Sequence, residues 1–417
     1  MADPGVLDAE KAKEYQEKKQ QYRIADGEHL DAIGLIKRTG GTPGQFVPLA
    51  NVALAEWIAV AKQAEIATQK FNVLEDACQR AGVERIVRDD ILWTTYFPYD
   101  AQVFFKDRWQ PILKEAGCSD KHHEWGKSNV IPILKWMNDP DPYLACLVAD
   151  GDRMGDALNK IGDPEEHQLF SNKLSNFATS ARQIVHEHYG LLIYSGGDDV
   201  LAFVCLTKAL ACAQALRDKF EECMTEALPG VEVLPTLSVG LGVGHTLADM
   251  RELLTLGRRA EQLAKGKEIP DETKQRNALA IIVDKRSGQQ RYWRQQWHHN
   301  PVQCLQEDVN RLSKQLPMTK VHEIIKNLQH FPPVTNISAT DASAWADILA
   351  KDVTRTLARA ETGQNQVPLQ PADVGLQLDT SQGYGSVYQD VQEWLQRMMV
   401  ARVFAQAIPK PKRSDRE

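Results

Sequence analysis

Two short apolar runs, each ending in acidic residues, constrain the fold of this chain more than any other feature. The run YLACLVAD ends at Asp150 and is followed by Gly-Asp, whereas LLIYS leads through GGDD into a second apolar run, VLAFV. Gly-Gly-Asp-Asp between two apolar runs is typical of a tight β-hairpin, because glycine adopts the positive φ that such turns need. The sequence therefore predicts a buried strand and a hairpin that both present carboxylates.

Helical and strand patterns alternate around these two runs. Helical periodicity over residues 164–189 follows the first strand, and a helix over 207–227 follows the hairpin. A strand in TLSVGLGVG, a helix over 247–267 and a last strand in NALAIIVDKRSG complete the region. This β-α-β-β-α-β-α-β order predicts an α+β fold, the ferredoxin-like double split unit with additions.

Composition changes on both sides of this region. At 417 residues the chain exceeds what one hydrophobic core usually organises. Two Asp-Pro steps in NDPDPY disfavour helix and mark a linker, and from residue 289 onward we predict only helices, RYWRQQW included. The predicted domains are a helical N-terminal region (1–137), a sheet domain (138–288) and a helical C-terminal domain (289–417).

Charge, cysteine usage and hydropathy exclude several classes of protein. A net charge of -7 argues against a protein that binds nucleic acid over its whole surface. The seven cysteines form no CxxC pair, so neither a zinc ribbon nor a disulfide framework is predicted. No apolar run approaches the roughly 20 residues of a membrane helix, and the first residues lack a secretory signal. We expect a soluble, cytoplasmic protein with no membrane partner.

The acidic motifs predict a metal site. In a split β-α-β sheet the first strand lies beside the third, so Asp150 is expected next to Asp198 and Asp199. Three carboxylates brought together repel one another unless a cation compensates them. Such hard oxygen ligands suit Mg²⁺ or Mn²⁺, which bind through few carboxylates plus substrate phosphates. An exposed hairpin with favoured turn residues would explain GGDD alone, but the matching DGD motif favours the metal site.

At this point a family resemblance becomes specific. LVADGDRMG and YSGGDDVLAFV resemble the large palm subunit of type III CRISPR effector complexes. GEHLDAIGLIKR and ILKWMNDPDPY are similar to segments around the second palm of its Cmr-type branch, and the helical tail is similar to its C-terminal domain. The resemblance implies a nucleotidyl-cyclase or polymerase-type palm that makes cyclic oligoadenylate from ATP when the complex holds target RNA. It also implies other effector subunits and crRNA as partners.

The same resemblance assigns the metal ligands. It makes Asp150, Asp198 and Asp199 the metal-binding carboxylates, with Asp198 and Asp199 as the catalytic pair. The Gly151 carbonyl is expected to add a ligand, and Asp152 to support or cap the motif.

A second set of residues is expected to hold the nucleotide. Ser195, Gly196 and Gly197 would line it, and Lys265 matches a lysine that contacts triphosphate in related palms. Arg276 is a weaker match of the same kind. For Lys265 and Arg276, an ordinary solvated charge is the alternative.

Other parts of the family pattern are missing. The chain contains no His-Asp dipeptide, so HD nuclease activity is not expected, and no cysteine zinc site is predicted. The pattern is that of the second half of the family, so a facing palm is expected from a partner chain or a homodimer. A GGDEF-type diguanylate cyclase is one alternative, weakened because Val200 follows GGDD where those enzymes favour an acidic residue and Phe. A catalytically silent scaffold subunit is the other.

Overall fold

The computed structural model describes residues 47–63, 65–86, 97–118, 121–231, 233–286, 288–359 and 368–412. The predicted N-terminal segments before residue 47, GEHLDAIGLIKR among them, lie outside the described residues.

A single twisted sheet forms the middle of the described part of the chain. Its strands are β1 (Tyr143–Asp152), β2 (Leu191–Gly196), β3 (Asp199–Cys205), β4 (Thr236–His245), β5 (Ala278–Val283) and β6 (Arg291–Gln296). They lie in the order β2-β3-β1-β4-β5-β6, with β4 and β5 parallel and every other neighbouring pair antiparallel. The first strand lies beside the third, so the predicted palm topology and α+β class are confirmed.

Helices precede, cover and follow this sheet. They are α1 (Leu49–Lys62), α2 (Glu65–Ala81), α3 (Trp109–Glu115), α4 (His122–Asn129), α5 (Ile131–Leu134), α6 (Met154–Leu158), α7 (Pro164–Glu187), α8 (Leu206–Ala227), α9 (Met250–Lys265), α10 (Pro301–Lys314), α11 (Met318–Leu328), α12 (Ala342–Ala358) and α13 (Tyr384–Ala407).

Both faces of the sheet are buried, and strand alternation sorts the side chains between them. Ala145, Leu147 and Ala149 of β1 join the main core under α7 and α8. Leu144 and Cys146 of the same strand face the other side, where α1 and α9 pack. A strand covered on both faces is apolar at nearly every position, which explains the continuous run in YLACLVA.

The flanking helices form two further cores. The N-terminal core is aromatic, built around Trp57, Phe71 and Phe104, and α1 also packs on the sheet. In the C-terminal core, the fully buried Asp308 pairs with Arg311 at 2.7 Å and with Arg397 at 2.5 Å. Helix α13 joins that core to the sheet domain, because its last turns belong to the main core under the sheet. Over the described residues, both flanks are therefore helical as predicted, except for residues 291–296.

One prediction at the end of the sheet was wrong. RYWRQQW was expected to be helical, but Arg291–Gln296 form β6, an edge strand antiparallel to β5. The pattern is ambiguous because only Trp293 of this strand is buried, at 9% exposure. The sheet domain consequently continues beyond residue 288 to Gln296.

Candidate active site

Strand β1 and the β2–β3 hairpin bring the acidic motifs together. In the antiparallel pair β1–β3, Ala149 lies opposite Val200, so Asp150 and Asp199 come next in register on their strands. The hairpin turn consists of Gly197 and Asp198, with Gly197 at φ +65°. The predicted adjacency of the DGD and GGDD motifs is thus present in the fold.

Position 151 requires a glycine because the Asp198 side chain lies directly against it. The Gly151 backbone N–H donates a hydrogen bond to the Asp198 carboxylate. A Cβ atom at Gly151 would lie 2.6 Å from Asp198 Oδ2 and 2.8 Å from Asp198 Cβ, closer than real Cβ contacts. Glycine at this position lets the turn close onto β1 and fixes the Asp198 side chain.

The three carboxylates crowd one another. Burial, together with the negative charge of Asp150, raises the pKa of Asp198 above its ordinary value. Burial, the charges of Asp150 and Asp198 and a hydrogen-bonding interaction with Asp150 raise the pKa of Asp199 to about 6. These pKa shifts show that burial and the neighbouring carboxylates both disfavour the ionised forms of Asp198 and Asp199.

Lys265 supplies a cation in the cluster. Its Nζ lies 2.6 Å from Asp150 Oδ2 and 3.1 Å from Glu261 Oε1, and the side chain is 17% exposed. Burial alone would lower the pKa of Lys265, but the hydrogen bond to Asp150 and the charge of Glu261 outweigh it and raise the pKa. Lys265 was predicted from the family resemblance, and the fold places its side chain at the carboxylates. The contact of Glu261 with Lys265 was not predicted.

Glycines in β4 allow α9 to bring Lys265 so close. A Cβ at Gly240 would lie 2.0 Å from the Glu261 backbone nitrogen, and one at Gly242 would lie 2.4 Å from the Gly257 nitrogen. The helix backbone therefore rests directly on the strand backbone, which only glycine permits. The alternating glycines in TLSVGLGVG are the feature of the sequence that indicates this close approach.

Asp152 lies beneath the site and is 2% exposed. Its Oδ2 accepts hydrogen bonds from Thr236 Oγ1 at 2.9 Å, Ser238 Oγ at 2.8 Å and the Asn277 backbone N–H at 3.1 Å. Its Oδ1 has no hydrogen-bond partner among the described residues. Burial raises the pKa of Asp152 despite these bonds. This is the supporting position expected for it.

The residues expected to line a nucleotide differ in their placement. Ser195 lies opposite Val200, on the face covered by α7, and its hydroxyl donates to the Ala178 carbonyl at 3.0 Å. Asp199 faces the other side, so only the Ser195 backbone is left to line a nucleotide there. A Cβ at Gly196 would lie 2.2 Å from the Tyr194 hydroxyl, whereas one at Gly197 would meet nothing within 4 Å. The outer side of the turn is open.

Arg276 comes close to Lys265 through the backbone. Its N–H donates to the Lys265 carbonyl at 2.9 Å, and Arg276 and Asn277 both have positive φ, at 58° and 44°. Two successive non-glycine residues with positive φ are uncommon. Such a backbone conformation persists only where surrounding contacts hold it. A phosphate contact by the Arg276 side chain remains a prediction.

The donor set fits a divalent cation that arrives with phosphate oxygens. Among the described residues, no group of three or more His, Cys, Asp and Glu side chains forms a ready metal cage. Mg²⁺ usually takes one or two carboxylates and completes its shell with water and substrate phosphates. The crowded carboxylates, with the pKa of Asp199 raised to about 6, have the excess charge that such an ion would neutralise.

The sheet domain matches a known family. Residues 143–280 match the model of Cas10/Cmr2, second palm domain. This part of the chain is similar to that palm domain. The resemblance to the large palm subunit of type III CRISPR complexes, drawn from DGD and GGDD, is confirmed. A relative, the CRISPR system Cmr subunit Cmr2 of Pyrococcus furiosus, is 29% identical in an alignment of 239 positions that covers 49% of this chain and 26% of the relative.

Two solved structures align with the chain. An apo type III-B Cmr-beta structure aligns at 12% identity and TM-score 0.48, over 88% of this chain and 48% of its own. A Csm1–Csm4 cassette in complex with cA4 aligns at 14% identity and TM-score 0.36, over 64% and 38% respectively. The chain thus spans about a quarter of its curated relative and under half of these structures.

In the part of the chain that the structure describes, every helix falls short of the length or the apolar character needed to cross a bilayer.

Proposed function

We propose that this chain supplies the second palm of the large subunit of a type III CRISPR effector complex, acting in the cytoplasm. Its palm binds ATP with Mg²⁺ or Mn²⁺ and joins the nucleotides into cyclic oligoadenylate when the complex holds target RNA. The observation that carries the proposal is the convergence of Asp150, Asp198, Asp199 and Lys265 in a palm of the Cas10/Cmr2 family.

The carboxylates are suited to hold the metal. Asp150, Asp198 and Asp199 lie near the end of β1 and at the adjacent hairpin, where burial and their mutual repulsion raise the pKa of Asp198 and Asp199. Bound there, Mg²⁺ or Mn²⁺ would supply Lewis-acid stabilisation of the attacking 3′-oxygen and of the leaving pyrophosphate. The Gly151 carbonyl belongs to the same strand end and is proposed as an additional ligand.

Lys265 is suited to hold phosphate. Its ammonium group is half-buried between Asp150 and Glu261, so it is already oriented toward the carboxylates. A triphosphate at the metal would compete with Asp150 for this cation, and a preorganised cation costs little reorganisation when charge develops. We assign Lys265, and secondarily Arg276, to the phosphates.

The hairpin is suited to admit the nucleotide. Gly197 has open space where a Cβ would be, so a base or ribose can approach the turn backbone. Polymerisation needs a donor and an acceptor nucleotide held in line. We propose that the second surface comes from a facing palm, on a partner chain or a second copy.

A silent scaffold is a second candidate because one observation favours it. Lys265 already pairs with Asp150, and no three-ligand cage is present among the described residues. In that case the chain would bind neighbouring subunits and crRNA without turnover.

Product identification separates these functions. The chain is copurified with its effector partners and incubated with target RNA, Mg²⁺ and either ATP or GTP, and the products are identified by mass spectrometry. Cyclic oligoadenylate from ATP alone supports the proposal. A GTP-derived dinucleotide would indicate a diguanylate cyclase, and no product in an intact, RNA-bound complex would indicate a scaffold.

A further inference from the structure

The edge strand β6 carries an arginine that reaches the end of α9. Arg294 Nε donates a hydrogen bond to the Ala264 carbonyl at 3.0 Å. Its Nη2 donates to the Lys274 carbonyl at 2.7 Å and, at 3.4 Å, to the Arg276 carbonyl. The last carbonyls of a helix have no partner within the helix, and a cation beside them is favoured by the helix dipole. One guanidinium thus joins a helix end to the loop that follows it.

The contact lies where α9 stops. Gly266 ends the helix at φ +54°, and a Cβ there would lie 3.1 Å from Arg294 Nε. The next carbonyl, that of Lys265, accepts from the Arg276 N–H at 2.9 Å. Arg294 therefore holds the backbone just before Lys265 and, at the same time, the loop that carries Arg276.

The turn is anchored from below as well. The buried Asp152 accepts from the Asn277 N–H, and its negative charge attracts Arg294. Gln296, also on β6, donates from Nε2 to the Thr273 carbonyl at 3.0 Å. The second aspartate of the DGD motif and the polar side chains of β6 hold the same loop from two sides.

We propose that Arg294 is a positioning residue for the nucleotide site, holding the end of α9 and the turn at 276–277 so that Lys265 and Arg276 meet the phosphates. The proposal rests on the function proposed above, because it requires ATP to bind at the carboxylates. Arg294 itself lies behind the backbone of these residues, and within the described part of the chain its side chain donates only to carbonyls. Its effect on phosphate therefore passes through Lys265 and Arg276.

A neighbour on the same strand provides the control. Arg291 begins β6, is exposed, and has no side-chain hydrogen bond to α9 or its loop within the described residues. Arg291→Gln removes the same charge from the same strand as Arg294→Gln. Arg294→Lys keeps the charge but cannot span several carbonyls, because its ammonium is a point donor rather than a planar fork.

The test measures ATP–Mg²⁺ affinity in the copurified complex by equilibrium titration, with thermal unfolding recorded alongside. Arg294→Gln should weaken ATP binding about tenfold, because loosened positioning costs binding geometry. Arg294→Lys should weaken it about threefold, as expected for the loss of part of the hydrogen bonding. Arg291→Gln should match the wild type.

A mutant cycle separates positioning from general stability. In a background of Lys265→Met with Arg276→Gln, adding Arg294→Gln should change ATP affinity less than twofold, because residues acting as a unit are non-additive. An undiminished tenfold loss in that background, or wild-type affinity in Arg294→Gln, would overturn the inference. If Arg294→Gln does not fold, ATP affinity is compared in the same two backgrounds with Arg294→Lys instead. Wild-type ATP affinity in Arg294→Lys would then contradict the inference. A wild-type complex that binds no ATP would overturn the proposed function together with this inference.

Discussion

Lys265 Nζ lies 2.6 Å from Asp150 Oδ2, across 115 residues of sequence. The contact exists because α9 rests on the glycines of β4 and delivers its last residue to the end of β1. It ties the basic end of a helix to the acidic end of a strand, where a nucleotide phosphate and its metal would both be accommodated.

Removing the Lys265 charge should weaken nucleotide binding more than folding. Lys265→Met keeps most of the apolar stem but leaves Asp150 and Glu261 without their shared cation. We expect the KM for ATP in the complex to rise about tenfold, because the phosphates lose one hydrogen bond to a charged group. Lys265→Arg should recover part of this. Kinetics over a range of ATP concentrations measure it, with the exposed Lys267→Met as control; an unchanged KM in Lys265→Met would remove Lys265 from the phosphate site.

Replacing Gly151 should disable the site by displacing Asp198. An alanine Cβ would lie 2.6 Å from Asp198 Oδ2, so the carboxylate or the turn must shift. We expect Gly151→Ala to lower turnover about 100-fold, as for catalytic groups displaced by about 1 Å. Gly155→Ala is the matched control, because its Cβ would meet nothing within 4 Å. Equal turnover in both variants would show that Asp198 need not be held in this position.

The pKa of Asp199 predicts how metal-free stability depends on pH. Its folded-state pKa, about 6, lies above the ordinary value of 3.8. The protonated form is therefore favoured in the folded state, and the stability it contributes is complete below about pH 4 and lost as pH rises through about 6. Asn cannot ionise, so Asp199→Asn should avoid this loss.

Thermal unfolding in EDTA from pH 4 to pH 7 measures the effect. Because the Asp199 carboxyl is only partly buried, solvent screening reduces the effect, and we expect Asp199→Asn to exceed the wild-type Tm by about 2 °C at pH 7. The difference should vanish near pH 4. Asp271→Asn is the control, because hydrogen bonds from Thr273 lower the pKa of Asp271 and the substitution should not raise Tm. Identical curves for wild type and Asp199→Asn would show that the pKa of Asp199 is not raised in the folded protein.

Local patterns sufficed to predict the acidic centre. The GGDD turn needs the positive φ of Gly197, and the split topology then places Asp150 beside it. Both follow from residues close in sequence and from the element order. Lys265 was found through resemblance, because neither its helical periodicity nor its charge shows which strand end α9 reaches.

The other features of the site depend on contacts between residues far apart in sequence, so local patterns could not predict them. A register shift between Leu192 and Tyr194 marks a β-bulge, which changes the face on which Ser195 lies. Strand β6 has one buried tryptophan among polar residues. A single apolar position gives no hydrophobic periodicity that could distinguish a strand from a helix. The contacts of Arg294 to Ala264 and Lys274 depend on β6 being a strand beside β5, so they could not be predicted once that strand was missed.

The central claim is that Asp198 and Asp199 carry metal-dependent nucleotide polymerisation. Asp198→Ala combined with Asp199→Ala should leave assembly intact, because both residues lie in or next to an exposed turn where truncation costs little packing. The control is Asp218→Ala with Glu221→Ala, an equal loss of charge on the exposed side of α8. The decisive measurement is the amount of cyclic oligoadenylate formed by copurified complexes with target RNA, ATP and Mg²⁺. The account predicts wild-type product in the control and none in the Asp198 and Asp199 variant; wild-type product in that variant would contradict it.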